Sequence, residues 1–148
     1  MAKNSNARPV LAAAQKLIRA FSRHDRSEYF RAFSPDASFI FHSNSTVLST
    51  RTDYEKLWAK WEVDLGFKVL GCDSSEQSVQ MLGGTAIFQH RVITTVGTKE
   101  GVSQVDERET IVFMRTGTGK WLAVHEHLSP THHTADSTHN ECCAMIQN

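Results

Sequence analysis

Apolar residues follow two periods along the chain. From Val10 to Leu65 they recur at helical spacing; beyond Gly66 they alternate or run together as in strands. Val10, Ala14, Leu17 and Phe21 form one helical stripe, widened by Leu11 and Ile18, and Pro9 suits the first turn of that helix. Asp25, with Glu28 three residues on, opens a short second helix that turns Tyr29, Phe30 and Phe33 inward and ends at Ser34-Pro35. Ser38 to His42 reads as a short strand. Thr52 and Glu55 form a further capping pair before a third helix with Tyr54, Leu57, Trp58, Trp61 and Leu65 on one face, stopped by Gly66.

The second half reads as strands. Phe67–Cys72 and Gln77–Leu82 form one bent strand or two, interrupted at Asp73-Ser74-Ser75. Gly83-Gly84 leads into Thr85–Val96, residues 97–101 make a hairpin loop, Val102–Met114 returns, and residues 116–119 turn the chain into Trp121–Ser129. Helices followed by a long meander predict an α+β fold, a cone in which N-terminal helices pack on the concave face of a strongly curved, mostly antiparallel sheet. The domain is expected to span residues 8–130, between a flexible N-terminus at 1–7 and a disordered or loosely docked tail at 131–148.

Side chains alternate along a strand, so hairpin register decides which residues meet the hollow. Centring the first hairpin on Lys99 sets Arg91 opposite Glu107 and Gln89 opposite Glu109. Centring the second between Gly117 and Thr118 sets Glu109 opposite Glu126. One face then carries Gln89, Arg91, Glu107, Glu109, Glu126 and Leu128 among isoleucines and a phenylalanine, and the other carries His90, His125 and His127. Two facing carboxyls raise the pKa of one of them, and a carboxyl tuned upward beside an apolar pocket is a usable general acid or base. Glu126 and Glu109 are therefore the catalytic candidates, with Arg91 as an electrophilic partner or as a structural neutraliser of Glu107 and Glu109. Tyr54, Trp58 or Trp61 supplies an aromatic rim.

Composition narrows the picture. The chain has 148 residues, enough for one domain with its own core, and sixteen Lys+Arg balance sixteen Asp+Glu. With no basic surplus, nucleic acid is not an expected partner. No apolar run reaches the length of a membrane span, and MAKNSNARPV has no secretory apolar core, so the expectation is a cytoplasmic protein without a membrane partner. Cys72, Cys142 and Cys143 are a poor disulfide set. His125 and His127 share a strand face, but their spacing matches no helical zinc signature, so no metal or other cofactor is expected.

Three segments carry a resemblance. Tyr54-Glu55-Lys56-Leu57-Trp58, Gln89-His90-Arg91 and Gly119–Pro130 (GKWLAVHEHLSP) resemble the nuclear transport factor 2-like superfamily, in particular the SnoaL-like proteins and the association domain of calcium/calmodulin-dependent protein kinase type II. The likeness runs from Val10 to Pro130. It implies a cone with a deep cavity, a small-molecule ligand, and homodimers or larger rings formed through the outer sheet face. In the kinase association domain three cavity arginines hold carboxylates; Arg91 falls at one of those positions, while Ile111 and Leu128 stand at the other two. Trp58 matches a tryptophan at the cavity mouth. In SnoaL-type cyclases and related isomerases and dehydratases, a cavity carboxylate, alone or with histidine, transfers protons on a ring substrate. Glu109 and Glu126 are the residues offered here, and the resemblance leaves both a ligand-binding domain and a small isomerase, cyclase or dehydratase open.

Overall fold

The computed structural model describes residues 6–132. Helix α1 (Arg8–Ser22) carries Pro9 in its first turn and buries Val10, Ala14, Leu17 and Ala20. His24, at φ 56°, turns the chain sharply into α2 (Arg26–Arg31). A histidine in that left-handed region needs support, and three contacts supply it. Its Nε2 lies 2.9 Å from Glu62, its Nδ1 accepts the Val69 N–H at 3.0 Å, and its ring packs 5.0 Å from Trp58. Asp25 caps α2 by accepting the Glu28 N–H at 3.2 Å.

Strand β1 (Phe33–Phe41) is longer than expected. Its register breaks between Phe33 and Ser38 on the sheet edge, so Pro35, which lacks a donor, sits where no ladder bond is required. Helix α3 (Arg51–Leu65) is capped by Thr50, which accepts the Asp53 N–H at 3.1 Å, rather than by Thr52. Tyr54, Trp58 and Trp61 fill its buried side, and Gly66 ends it at φ 64°. Strand β2 (Lys68–Leu82) is one continuous, twice-bulged strand. Glu76, at φ 53°, marks the second bulge, between Ser75 and Ser78. Strands β3 (Thr85–Thr98), β4 (Gly101–Arg115) and β5 (Trp121–Pro130) complete a sheet of order β1-β5-β4-β3-β2, antiparallel except where β1 runs parallel to β5.

The register differs from the expectation at both hairpins. The first closes on two residues, Lys99 and Glu100, with Thr98 paired to Gly101, so its centre lies half a residue beyond Lys99. The end of α3 fixes that turn. The Lys99 N–H donates to Leu65 O at 2.8 Å, and its ammonium meets the Val63 and Asp64 carbonyls at 3.3 and 3.2 Å, a favourable place for a cation. The one-residue slip turns β3 over: Ala86, Phe88, His90, Val92, Thr94 and Val96 are the buried residues, and Gln89 and Arg91 lie on the outer face.

The second hairpin has a five-residue loop, with Arg115 paired to Trp121, and a bulge at Val124 adds one further step. The two displacements together restore the inward direction of Glu126 and Leu128 but change their partners. Glu126 pairs with Ile111, and Glu109 with Leu128.

Candidate functional site

The cleft sits between the helices and the inner face of the sheet. Helix α1 contributes Leu17, Ile18 and Phe21, α2 contributes Tyr29, and α3 contributes Tyr54. The sheet brings Cys72, His90, Val92, Thr94, Glu107, Glu109, Glu126 and Leu128. The enclosed space is small, about 40 Å³, and reaches about 400 Å³ only when its open mouth is counted. It adjoins a second, more apolar chamber, about 70 Å³ enclosed and about 550 Å³ with its open mouth, walled by Phe41, Trp61, Phe67 and Val96. Phe21, Tyr54, Thr94, Glu107 and Leu128 border both. Helical spacing on α1 and α3 supplies the apolar wall, and strand alternation supplies the polar one.

A continuous hydrogen-bonded chain occupies the polar wall. His90 Nε2 lies 2.7 Å from Glu109 Oε1, and His90 Nδ1 lies 2.6 Å from Ser74 Oγ. Glu109 and Glu126 share a hydrogen bond as diagonal neighbours on adjacent strands. The Tyr29 hydroxyl donates to Glu126 Oε2 at 3.1 Å and lies 3.3 Å from the Tyr54 hydroxyl. At the rim, His42 Nε2 and Glu107 Oε2 are 2.5 Å apart.

Burial sets the protonation states. Glu126 is 2% exposed; burial, followed by the charge of Glu109, drives its carboxyl well above the usual range. Glu109 is raised as well, again chiefly by burial. Two adjacent carboxyls that both resist ionisation hold one proton between them. The His90 side chain is fully enclosed, and burial lowers its pKa to about 4, so the imidazole is neutral near pH 7. Burial raises Tyr29 and Tyr54, which keeps both phenols protonated as donors. Cys72 is pushed up to about 11 by burial, so its thiol is not a ready nucleophile. Ser74, His90 and Glu109 have the composition of a nucleophilic triad, but Ser74 is not among the residues lining the cleft.

The expected site residues fall in two places. Glu107, Glu109, Glu126, Tyr54 and Leu128 meet in the cleft. Arg91 and Gln89 do not. The slip at the first hairpin places them outside, where Arg91 pairs with Asp106 through two hydrogen bonds and holds that carboxyl well below its ordinary value. Arg91 faces Arg108, not Glu107, across the ladder, and with Gln89 it lines an open groove on the other side of His90 and Glu109. Trp58 is 0% exposed and lies behind the wall, its ring 5.5 Å from Tyr29 and 6.1 Å from Tyr54; it is core, not rim. Its Nε1 has no hydrogen-bond partner among the described residues.

His90, Tyr29 and Ser74 were not among the expected site residues. Register hid His90 on the supposed outer face. The aromatic stripe of α2 disguised Tyr29, although a buried tyrosine hydroxyl demands a partner. Among the described residues no three His, Cys, Asp or Glu side chains are grouped to hold a metal ion. His125 lies on the outer face 2.8 Å from Ser38 Oγ; the tail residues His133, His139, Cys142 and Cys143 fall outside the described residues.

A curved, mostly antiparallel sheet wrapped over three helices around an acid-lined hollow is a cone-shaped fold, similar to that of structures described as nuclear transport factor 2-like. The chain belongs to the SnoaL-like domain family, whose model matches residues 10–133. No curated protein sequence matches it. Its fold is similar to that of a putative calcium/calmodulin-dependent protein kinase II association domain from Xanthomonas campestris, with 21% identity, a TM-score of 0.72, and coverage of 86% of this chain and 89% of that one. A ketosteroid isomerase-like protein from Erwinia carotovora atroseptica aligns with 18% identity and a TM-score of 0.72 over 87% of this chain and 98% of that one. A Catenulispora acidiphila protein in complex with S-DNPA aligns with 12% identity and a TM-score of 0.68, covering 84% and 92%. No helix among the described residues is long and apolar enough to cross a membrane.

Proposed function

We propose that the cleft binds a small organic molecule with an apolar body and a neutral or cationic polar group, and that the Glu109–Glu126 pair exchanges a proton with it. The reaction class is a cofactor-independent isomerisation, cyclisation or dehydration. The observation that carries this reading is the Glu109–Glu126 carboxyl pair, enclosed by aromatic and aliphatic side chains and hydrogen-bonded to His90 and Tyr29. A carboxyl of raised pKa in such surroundings abstracts a proton near neutral pH and returns it elsewhere on the same molecule. The absence of Lys and Arg among the residues lining either chamber disfavours carboxylate ligands, whose charge would meet Glu107, Glu109 and Glu126.

The same reading includes self-association through the outer sheet face, where Leu82 and Met114 expose apolar surface near Leu122 and His125. A dimer at micromolar concentration in solution-mass measurements is the expected result; a strict monomer removes this part.

The test of the ligand reading is a thermal-shift screen of neutral, cationic and carboxylate ring compounds, followed by NMR of the hits in D2O. Neutral or cationic compounds should raise the melting temperature, and a Leu128→Trp variant that fills the cleft should abolish the shift. Hits should exchange an acidic C–H for deuterium with the wild type and not with Glu109→Gln. Preferential carboxylate binding would refute the charge argument. Binding without exchange would refute the proton-transfer step and leave a binding domain.

A further inference from the structure

The carboxyl pair does not by itself say which member is the base. The side chains behind it do. The bulge at Ser75–Ser78, with Glu76 in the left-handed region, bends β2 so that exposed Gln77 folds back over half-buried Ser74. Gln77 Nε2 donates to Ser74 Oγ at 2.8 Å. A hydroxyl that accepts there has its own proton free for its other neighbour, His90 Nδ1, at 2.6 Å. Nδ1 is then an acceptor, and a neutral imidazole whose Nδ1 accepts carries its proton on Nε2, which donates to Glu109 Oε1 at 2.7 Å. Every donor in the series points the same way, from the surface amide toward Glu109.

At the far end Glu126 receives the Tyr29 hydroxyl on Oε2, and its remaining link is the hydrogen bond it shares with Glu109. Each carboxyl thus receives one donor, Glu109 from His90 and Glu126 from Tyr29; Glu126 is buried and Glu109 only half-buried, so the shared proton resides on Glu126 and Glu109 is the anion. We infer that Gln77 and Ser74 are positioning residues which, through the tautomer of His90, make Glu109 the base of the pair and Glu126 the proton holder. This rests on the carboxyl-pair reading above and assigns the roles within it. The other titratable groups that line the cleft around His90 are Glu107, Cys72, Tyr29 and Tyr54; the groove on the other side of His90 and Glu109 adds Glu76, Arg91 and Arg108, and α1 presents only Leu17, Ile18 and Phe21 to the cleft.

The experiment uses the full chain without ligand, so it does not depend on finding a substrate. Imidazole 15N chemical shifts should place the His90 proton on Nε2 between pH 6 and 8; a proton on Nδ1, or an imidazolium, would overturn the inference. Gln77→Glu replaces the surface donor by an acceptor. The Ser74 proton should then turn outward, His90 should shift to the Nδ1–H tautomer, and the Glu109 side-chain 13C titration should move up by about one pH unit, a tenfold change in proton affinity. An unchanged tautomer and titration would overturn the proposal. Ser74→Ala should raise the Glu109 titration, and Ser74→Thr should restore it; equal titrations in these two variants would also overturn it. Should the tautomer and titrations behave as stated while no ligand exchanges a C–H, the proton-transfer reading fails and the assignment of the proton stands.

Discussion

Replacing Glu126 by Gln isolates the buried proton, because glutamine keeps the shape, can still accept from Tyr29 and can donate to Glu109. In the wild type the Glu126 carboxyl is raised on folding, so the native state holds a proton that the unfolded chain releases near pH 4.3. A raised acid contributes stability that is complete below the unfolded pKa and is lost as pH rises toward the folded one. Each pH unit in that interval costs about 1.4 kcal/mol. In a chain of this size each kcal/mol moves the melting temperature by about 2–4 °C. Between pH 5 and pH 8 the wild type should therefore lose melting temperature faster than Glu126→Gln, by about 3–5 °C per pH unit while the native acid stays protonated. Circular dichroism melts at the two pH values, with urea titrations to check that the m-value is constant, measure the difference. Parallel pH dependence in the two proteins would refute a proton shared within the pair.

Three further outcomes follow from the packing. Trp58→Ala empties the centre of the aromatic core and should cost about 3–5 kcal/mol in urea unfolding; a loss under 1 kcal/mol would contradict its core role. Gly66→Ala meets both the left-handed φ of 64° and the Lys99 side chain 3.1 Å from the new Cβ, so it should destabilise by about 1 kcal/mol or more. Arg91→Ala should leave the affinity for any cleft ligand unchanged in a thermal-shift titration, since that side chain stands on the outer face; weakened binding would return Arg91 to the site.

What could be read from the chain, and what could not, turns on local against relayed information. Stripes on α1 and α3 are local, and Tyr54, Leu17 and Phe21 reach the cleft as their spacing implies. Glu109, Glu126, Glu107 and Leu128 were also legible, because charges interrupting an apolar strand face stand out. Arg91 and His90 were exchanged because both faces of β3 carry apolar residues: Phe88, Val92 and Val96 on one, Ile87 and Ile93 on the other. Only the turn length separates those alternatives, and the carbonyls at the end of α3, far away in sequence, select it. Two displacements in the second hairpin cancelled, so Glu126 came out on the correct face by way of incorrect partners. The longer β1 was masked by Pro35, whose tolerance depends on an unpaired stretch at the sheet edge.

The parallel pairing of the first strand with the last bears on how the molecule comes into being. Phe39 lies beside Glu126, and Ser38 is bonded to a histidine 87 positions later. On the ribosome, Phe33–Phe41 therefore waits for almost the whole domain before its ladder partner emerges, and contacts of such long range slow folding. The segment that ends the wait also delivers Glu126, so an emerging chain has neither a finished sheet nor its proton-holding acid until β5 docks. Completion of the fold and completion of the acid-lined cleft are one event.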